Sequence, residues 1–309
     1  MKEKIEIHYI ADDFPTKIYG KKLSGSHTLF TDWHEIVWAA ITVGKRNTRH
    51  ITKHGIYSTY EIINRAMLIW TSLKLESNSL QKTNVYKEMD PTEKVFISFS
   101  LGMAMSKLLA CKLLGVHWLQ HVAYVNKHIS TRKKTRSRPD LIGLNKRQEF
   151  VVFEAKGRSN KYDDTAQITA KNQTKVISKI NGMYPILRIA CQSYFDEDLK
   201  IYIQDPEDIS INSLEVETDL NHYLKGYYSL FDDLDDMSTS FLKSIGIEIG
   251  FSESLSLALK NKTFYNFRSN IEQPEFDRYD FKCFPDGIKI KLNNEIWTNE
   301  RLSLEPKNR

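Results

Sequence analysis

Cysteine is scarce in this sequence, and its spacing excludes several classes of small stabilised domain. Only Cys111, Cys191 and Cys283 occur among 309 residues, far apart and with no Cys-x-x-Cys pair. An odd and scattered set argues against a disulfide framework and against a cysteine zinc site. Such usage is typical of a reducing compartment, so we expect a cytoplasmic protein.

Long apolar runs and nucleotide-binding loops are also missing. The longest weakly charged run, residues 95–106, has 12 residues, whereas a membrane span needs roughly 20. The first 14 residues contain no apolar core long enough for a signal peptide. No Gly-x-x-x-x-Gly-Lys-Ser/Thr loop occurs, so ATP-driven activity would need another subunit. We therefore expect a protein that does not contact a membrane.

The net charge of +5 conceals a strong separation along the chain. Residues 1–204 carry 32 Lys or Arg and 19 Asp or Glu, a net charge of +13, whereas residues 205–309 carry 12 and 20, a net charge of −8. Concentrated positive charge favours a polyanion partner, because each Lys or Arg that meets a phosphate releases counterions. The alternative is that these charges only maintain solubility.

The local patterns predict a mixed α/β (α+β) protein with a mixed central sheet. Asp90, Pro91 and Glu93 suit the start of a helix, which runs through Leu114 to a left-handed end at Gly115. The segments predicted after it are a strand at 117–125, strands at 138–144 and 149–156, a helix at 163–181, and strands at 185–192 and 200–204. A helix between strands implies a parallel pair in an otherwise antiparallel sheet.

Composition divides the chain into three predicted regions. Residues 1–89 have a mostly helical pattern after a short N-terminal strand, residues 90–204 form the predicted core, and residues 205–309 form an acidic α+β region. Ten acidic residues and one Lys occur within 205–236. These acids either form a solvated surface, cover a basic cleft, or bind a partner subunit.

A cluster of basic residues precedes the most informative segment. Six Lys or Arg and no acid occur between residues 127 and 138, and one further Arg follows that segment. Basic loops at the mouth of a cleft bind backbone phosphates without reading the base sequence. The alternative is a loop that only maintains solubility. The predicted DNA-binding residues are Lys127, Arg132, Lys133, Lys134, Arg136, Arg138 and Arg158.

Residues 138–157 form the most informative segment of the chain. It reads Arg-Pro-Asp-Leu-Ile-Gly-Leu and, after a polar connection, Phe-Val-Val-Phe-Glu-Ala-Lys-Gly. Side chains alternate across a strand, so Glu154 and Lys156 share one face while Ala155 faces the core. A carboxylate and a lysine at the end of an apolar strand are costly to bury alone, so a further charged group is expected beside them.

Hairpin geometry supplies a candidate for that further group. If Asn145 opposes Glu149 in an antiparallel pair, the two residue numbers of every opposed pair add up to 294. Asp140 then lies opposite Glu154. Their Cβ atoms would then be about 4.5–5.5 Å apart on one face. Two carboxylates that close repel each other and favour a bound cation; oxygen ligands with water suit Mg²⁺, with Mn²⁺ as a substitute. An even-length turn without a bulge would put Asp140 on the wrong face.

At this point the residues resemble a known family. Pro139-Asp140 followed by Glu154-Ala155-Lys156 resembles the signature of the PD-(D/E)XK nucleases, the restriction-endonuclease-like superfamily. The predicted element order in residues 90–204 also resembles the αβββαβ core of that family. The resemblance implies catalytic roles for Asp140, Glu154 and Lys156. The two acids and the backbone carbonyl of Ala155 would bind Mg²⁺, and Lys156 would orient or activate the attacking water.

The resemblance also suggests auxiliary residues outside the signature. Some relatives carry another acid on the helix before the sheet, where Glu93 is available, although its helix-capping role explains it equally well. Some relatives carry Gln or Lys on the following helix, where Gln167, Lys171 and Lys175 are spaced four apart on one face. That face either positions water and contacts a phosphate, or is an ordinary solvated face.

Together the patterns and the family resemblance predict a hydrolase, a metal-dependent DNA endonuclease; by analogy with the family, restriction or antiviral defence is the expected context. By resemblance to the family, its products would carry 5′-phosphate ends. Two alternatives stay open: a catalytically silent DNA-binding or scaffold subunit, and an RNA-directed nuclease. Double-strand cutting with one site per chain would favour a homodimer or a partner subunit, bound through the C-terminal region.

Overall fold

The computed structural model describes residues 4–14, 23–44, 56–125, 128–131, 138–205, 214–232 and 234–297. Within these ranges the chain is a mixed α/β protein with nine helices around a mixed central sheet. This confirms the predicted α+β class and the mixed character of the sheet.

The helices and strands of the described residues are numbered in chain order. The helices are α1 (Trp33–Thr42), α2 (Ile56–Ser72), α3 (Asn84–Glu88), α4 (Pro91–Leu114), α5 (Val122–Val125), α6 (Asp164–Thr174), α7 (Leu220–Tyr228), α8 (Asp236–Ser244) and α9 (Glu253–Lys260). The strands are β1 (Ile5–Asp12), β2 (Gly25–Thr31), β3 (Leu73–Glu76), β4 (Ser79–Lys82), β5 (Val116–His121), β6 (His128–Thr131), β7 (Leu141–Asn145), β8 (Phe150–Gly157), β9 (Ile177–Ile180), β10 (Leu187–Phe195), β11 (Leu199–Gln204), β12 (Leu214–Glu217), β13 (Ile247–Phe251), β14 (Glu275–Phe276), β15 (Lys282–Cys283) and β16 (Ile288–Leu292).

The central sheet contains nine strands in the order β3-β4-β1-β11-β10-β8-β7-β5, with β2 also paired to β1. Strands β5, β7 and β8 form an antiparallel run, and β8 is parallel to β10. Helix α6 provides the crossover that a parallel pair requires. The predicted parallel pair in an otherwise mainly antiparallel neighbourhood is therefore present beside the hairpin.

Helix α4 packs across the central sheet and forms one wall of the region described below. Asp90 and Glu93 make the predicted capping box, Pro91 occupies the first turn, and Gly115 ends the helix with φ of 64°. By length and composition α4 could span a membrane, but 78% of its most apolar window is buried within the protein, as in a soluble core helix.

Two predicted elements end earlier than expected. Helix α6 stops at Thr174 instead of reaching residue 181, and β9 follows it. The β-branched Ile177 and Ile180 are fully buried where β9 pairs with β12, so strand pairing overrides the continuation of the helix. The strand predicted at 117–125 stops at His121, and α5 begins there.

The predicted regional boundaries at residues 90 and 205 stay predictions, and hydrogen bonds cross both. Strand β1 is parallel to β11, and the indole N–H of Trp38 donates to Asp286 Oδ2 at 2.9 Å. Residues 1–89 contribute four strands as well as helices, which is more strand than their sequence predicts. The described part of residues 205–309 contains both helices and strands, as expected for an α+β region.

Candidate active site

Strands β7 and β8 form the predicted hairpin in the predicted register. Leu141 pairs with Phe153, and every pair of this ladder keeps the index sum of 294. The main-chain N–H of Asp140 donates to Glu154 Oε2 at 2.9 Å, just before β7 begins. The two acids therefore lie side by side at one end of the sheet.

Three side chains meet at this end of the sheet: Asp140, Glu154 and Lys156, here called the cleft cluster. The N–H of Ala155 donates to Asp140 Oδ2 at 3.3 Å, and the Lys156 ammonium donates to Glu154 Oε1. Main-chain bonds thus fix both carboxylates in place before any ligand arrives. The structure brings together all three residues that the sequence assigned to catalysis.

The backbone of Ala155 presents a further oxygen to the same place. In an antiparallel strand the N–H and C=O of one residue point towards the same neighbour. The Ala155 N–H points at Asp140, beyond the start of β7, so its carbonyl points to the same side. The donor set is therefore two carboxylates and one main-chain carbonyl, all hard oxygens.

The charges of the cleft cluster do not balance. The Glu154 side chain is only 1% exposed, and a single ammonium faces two carboxylates. Burial raises the pKa of Glu154 to about 8; repulsion from Asp140 adds to the rise, and Lys156 opposes it. Burial also raises the pKa of Asp140, against the attraction of Lys156. The pair is under-neutralised, which favours either a retained proton or an added cation.

Gln173 is a member of the site that the sequence did not reveal. Its Oε1 accepts from the Lys156 ammonium at 2.8 Å, and its Nε2 donates to the carbonyl of Arg138 at 3.3 Å. It lies six residues after Gln167, about 240° further around the helix and thus about 120° away by the shorter way, so it projects from a different face. The sequence signal that could have pointed to Gln173 was a polar residue on this second face of α6.

The auxiliary residues predicted outside the signature do not reach the cleft cluster. Glu93 caps α4 by accepting from the N–H of Asp90 at 3.3 Å. Gln167 is buried, and its amide donates to the carbonyl of Ala190 at 3.3 Å. Lys171 lies 3.9 Å from a carboxylate oxygen of Asp13. Helix α6 turns the face of Gln167 and Lys171 towards β10 and β1, while Glu93 is engaged in capping α4. The auxiliary roles of these three residues stay predictions, and Gln173 is the α6 residue that contacts Lys156.

An open cleft of about 710 Å³ leads to the cleft cluster, and helix α4 forms its opposite wall. Lys94 and Arg158 stand on its lining, together with Val95 and Phe99. Gly157 allows α4 to approach β8 closely, because a Cβ there would lie 1.6 Å from the carbonyl oxygen of Ser98. The glycine after Glu-x-Lys thereby fixes how near the helix stands to the acids.

Of the seven residues predicted to bind DNA, the structure describes Arg138 and Arg158. Arg158 pairs with Asp163 at 2.8 Å on the lining of the cleft, and Arg138 is exposed next to Asp140. The side chains predicted to bind DNA at Lys127, Arg132, Lys133, Lys134 and Arg136 lie outside the described residues. Their role stays a prediction.

The oxygens that the cleft cluster offers to a divalent metal ion are two carboxylates and one main-chain carbonyl. No group of three or more His, Cys, Asp or Glu side chains suited to a metal occurs within the described ranges. Mg²⁺ is commonly held by one or two carboxylates while it keeps several waters, so two acids and a carbonyl are compatible with it. The cleft cluster has one ammonium for two carboxyl groups, so a cation could take the place of the proton that Glu154 keeps.

Comparison of the chain with protein-family models, with curated proteins and with solved structures finds no match. What the site does must therefore be argued from its own chemistry.

Proposed function

We propose that this protein is a Mg²⁺-dependent nuclease that hydrolyses phosphodiester bonds in DNA. The observation that carries the proposal is the convergence of Asp140, Glu154 and Lys156 at the open end of a hairpin, with one ammonium for a buried and a half-buried carboxyl group. A site with this charge deficit is costly to maintain for stability alone, and it matches the oxygen chemistry of Mg²⁺.

The surrounding elements support a restriction-endonuclease-like core. Around the site the chain runs α4, β5, β7, β8, α6 and β10, which has the αβββαβ order, with α5, β6 and β9 inserted. The signature acids lie on β8 and immediately before β7, the two antiparallel strands of the hairpin. We propose that residues 90–204 form this core, and that restriction or antiviral defence is its context.

The chemistry follows from the positions of the side chains. A Mg²⁺ ion in such a site polarises a phosphoryl oxygen and lowers the pKa of its water. Asp140, Glu154 and the carbonyl of Ala155 would hold it. The Lys156 ammonium orients the attacking water and faces the negative charge that develops at phosphorus. Gln173 keeps that ammonium directed at the cleft through its 2.8 Å hydrogen bond.

The test is a cleavage assay on supercoiled, linear and single-stranded DNA, with Mg²⁺, with Mn²⁺ and with chelator. Asp140→Asn and Lys156→Met remove one charge each from the cleft cluster. Asp164→Asn and Lys161→Met are their matched controls, because both residues are exposed nearby and absent from the cleft lining. The proposal requires metal-dependent cutting by wild type and both controls, and cutting at least about 100-fold slower by the two cluster variants.

Other results of the same assay identify the alternatives. Tight DNA binding with no cutting under any metal would indicate a silent binding or scaffold subunit. Cutting of RNA that DNA does not compete with would indicate an RNA-directed nuclease. Equal cutting by wild type and by both cluster variants would exclude this site as the source of activity.

A further inference from the structure

A second recess, here called the apolar pocket, lies beside the cleft on the other side of the first turns of α4. It has a volume of about 300 Å³ and is formed between α1, α2 and α4. Its main lining residues are Ala40, Val43, Leu68, Phe96, Phe99 and Met103. A mostly apolar recess with a few polar groups is the usual form of a small-ligand site.

Arg65 supplies the polar group of the apolar pocket, and one of its nitrogens has no partner. Its side chain is 10% exposed; its Nε donates to Glu61 at 2.9 Å, and its Nη1 donates to the carbonyl of Val43 at 2.7 Å. Its Nη2 is buried and makes no hydrogen bond. A buried donor left unsatisfied destabilises the fold, and Arg65 is the cationic residue in the lining of the apolar pocket.

Two aromatic rings are unusually exposed at the same place. Phe96 is 51% exposed and Phe99 is 43% exposed, and both line the apolar pocket. Phe99 also lines the cleft that leads to the acids. The pocket and the cleft are therefore neighbouring parts of one surface, separated by a single ring, and clustered exposed apolar side chains mark binding sites.

The charge of the joined surface selects the class of ligand. Lys94, Lys156 and Arg158 line the cleft together with the two acids of the cleft cluster, Arg65 lines the apolar pocket, and no acid lines the pocket. A strand whose phosphate lies at the cleft cluster would present a neighbouring base to this pocket. A base offers a flat face that can stack on Phe96 or Phe99.

We propose that the apolar pocket receives an unpaired base of the substrate strand, so that the substrate is nucleic acid with an unstacked nucleotide next to the cleaved phosphate. This inference rests on the proposed nuclease function and deepens it. A base inside a fully paired duplex cannot enter such a pocket without leaving the stack. Single strands, and duplexes with an unpaired nucleotide, are therefore preferred over fully paired DNA.

Binding is measured by fluorescence anisotropy in the Asp140→Asn background, which prevents cutting. The probes are a short single-stranded DNA and the same strand in a fully paired duplex. Phe96→Ala removes a stacking ring, and Ser100→Phe fills the pocket from the exposed side of α4. Each weakens single-strand binding about tenfold, the scale of one lost base–aromatic stack, and changes duplex binding less than about twofold.

Phe241→Ala is the matched control, because Phe241 is 40% exposed on α8 and lines neither recess. It leaves both affinities unchanged. Circular dichroism and thermal unfolding confirm that the variants are folded. Loss of single-strand binding in Phe96→Ala and Ser100→Phe, with Phe241→Ala at the parent level, is the expected result.

The outcomes separate this inference from the proposed function. Single-strand binding by Phe96→Ala and Ser100→Phe at the parent affinity overturns the inference, even if wild type cuts DNA with Mg²⁺. Pocket-dependent single-strand binding without any cutting by wild type supports the pocket and contradicts the nuclease proposal. A dimer that dissociates in Phe96→Ala, with DNA binding unchanged, overturns the inference and makes a second copy of the chain the occupant.

Discussion

Two groups of buried acids in this protein have opposite electrostatic balance. In the first, here called the paired cluster, Asp32 and Glu35 of the α1 N-terminus meet two lysines, Lys112 and Lys282. Lys282 Nζ lies 2.8 Å from Glu35 Oε1, and Lys112 contacts the other oxygen. The cleft cluster has two acids and one lysine.

This difference in charge balance indicates a structural role for the paired cluster and a ligand-binding role for the cleft cluster. The paired cluster joins α1, α4 and β15, and every charge in it has a partner of opposite sign. It therefore holds three parts of the fold together. The cleft cluster lies at an open cleft and has one ammonium for two carboxyl groups, so Glu154 keeps a proton up to about pH 8 when no cation is bound. Such a cluster weakens the fold by itself and becomes useful when a cation enters it.

The largest expected contrast is in catalysis. Asp140→Asn and Lys156→Met should each reduce metal-dependent cleavage by about 10²–10³-fold or more, because each removes a charge aimed at the reacting phosphate. Glu35→Gln should leave the rate per folded molecule unchanged when it is assayed at low temperature. Rates are compared at equal folded concentration, and a Glu35→Gln rate as low as that of Asp140→Asn would remove the contrast.

The second contrast is in stability, where the two clusters should respond with opposite signs. Glu35→Gln leaves Lys112 without its carboxylate and Lys282 with Asp32 alone, and should lower the free energy of unfolding by up to about 3–5 kcal/mol. Asp140→Asn keeps an oxygen for the Ala155 N–H and removes a repulsion, so without metal it should raise stability at pH 8 by about 1–3 kcal/mol. Urea unfolding with chelator measures both; the same sign for both variants would contradict this.

The pH dependence of stability should also follow the cleft cluster. The pKa of Glu154 is 4.5 as an ordinary carboxyl and about 8 in the fold, so between these values the folded form keeps a proton that the unfolded form has lost. Raising the pH through this window therefore lowers the free energy of unfolding, by up to about 1.4 kcal/mol per pH unit for one group.

The slope should level off below pH 4.5 and above pH 8, because the two forms then hold equal numbers of protons on this group. Asp140→Asn should flatten the slope, since it removes both the repulsion and a second raised pKa. Excess Mg²⁺ should flatten the wild-type slope as well. Urea unfolding at several pH values tests this, and equal slopes for the two proteins would contradict it.

The smallest expected effect belongs to Gln173, a positioning residue with no charge. Gln173→Ala should lower kcat about tenfold and leave KM nearly unchanged, because the Lys156 ammonium loses one of its two acceptors but keeps its charge. Gln173→Glu should restore the hydrogen bond and shift the pH profile of kcat. Gln167→Ala is the control on the buried face of the same helix, and an equal kcat loss there would indicate a general effect on α6.

Local rules were sufficient to predict the hairpin and α4. The capping box at Asp90, the left-handed Gly115 and the alternation before Lys156 act within a few residues, so the sequence alone contains them. The register followed from one assumption, that Asn145 opposes Glu149, and it brought Asp140 to the correct face. The central part of the candidate site was therefore predictable without any tertiary information.

The features that escaped prediction depend on distant partners. Strand β1 finds its place in the central sheet between β4 and β11, and β9 is a strand because β12 lies beside it. Gln173 reaches the cleft because α6 packs with the face of Gln167 against β10, a choice that helical periodicity leaves open. The apolar pocket forms between three helices whose packing no local pattern specifies.

Calorimetric titration with Mn²⁺ at pH 8 tests most directly whether the two acids and one lysine of the cleft cluster form a divalent-metal site. Wild type and the surface control Asp164→Asn should bind Mn²⁺ saturably, and Asp140→Asn should lose at least about tenfold in affinity, since it loses one of two anionic ligands. Saturable binding that is equally tight in Asp140→Asn, or no binding by wild type, would contradict the account.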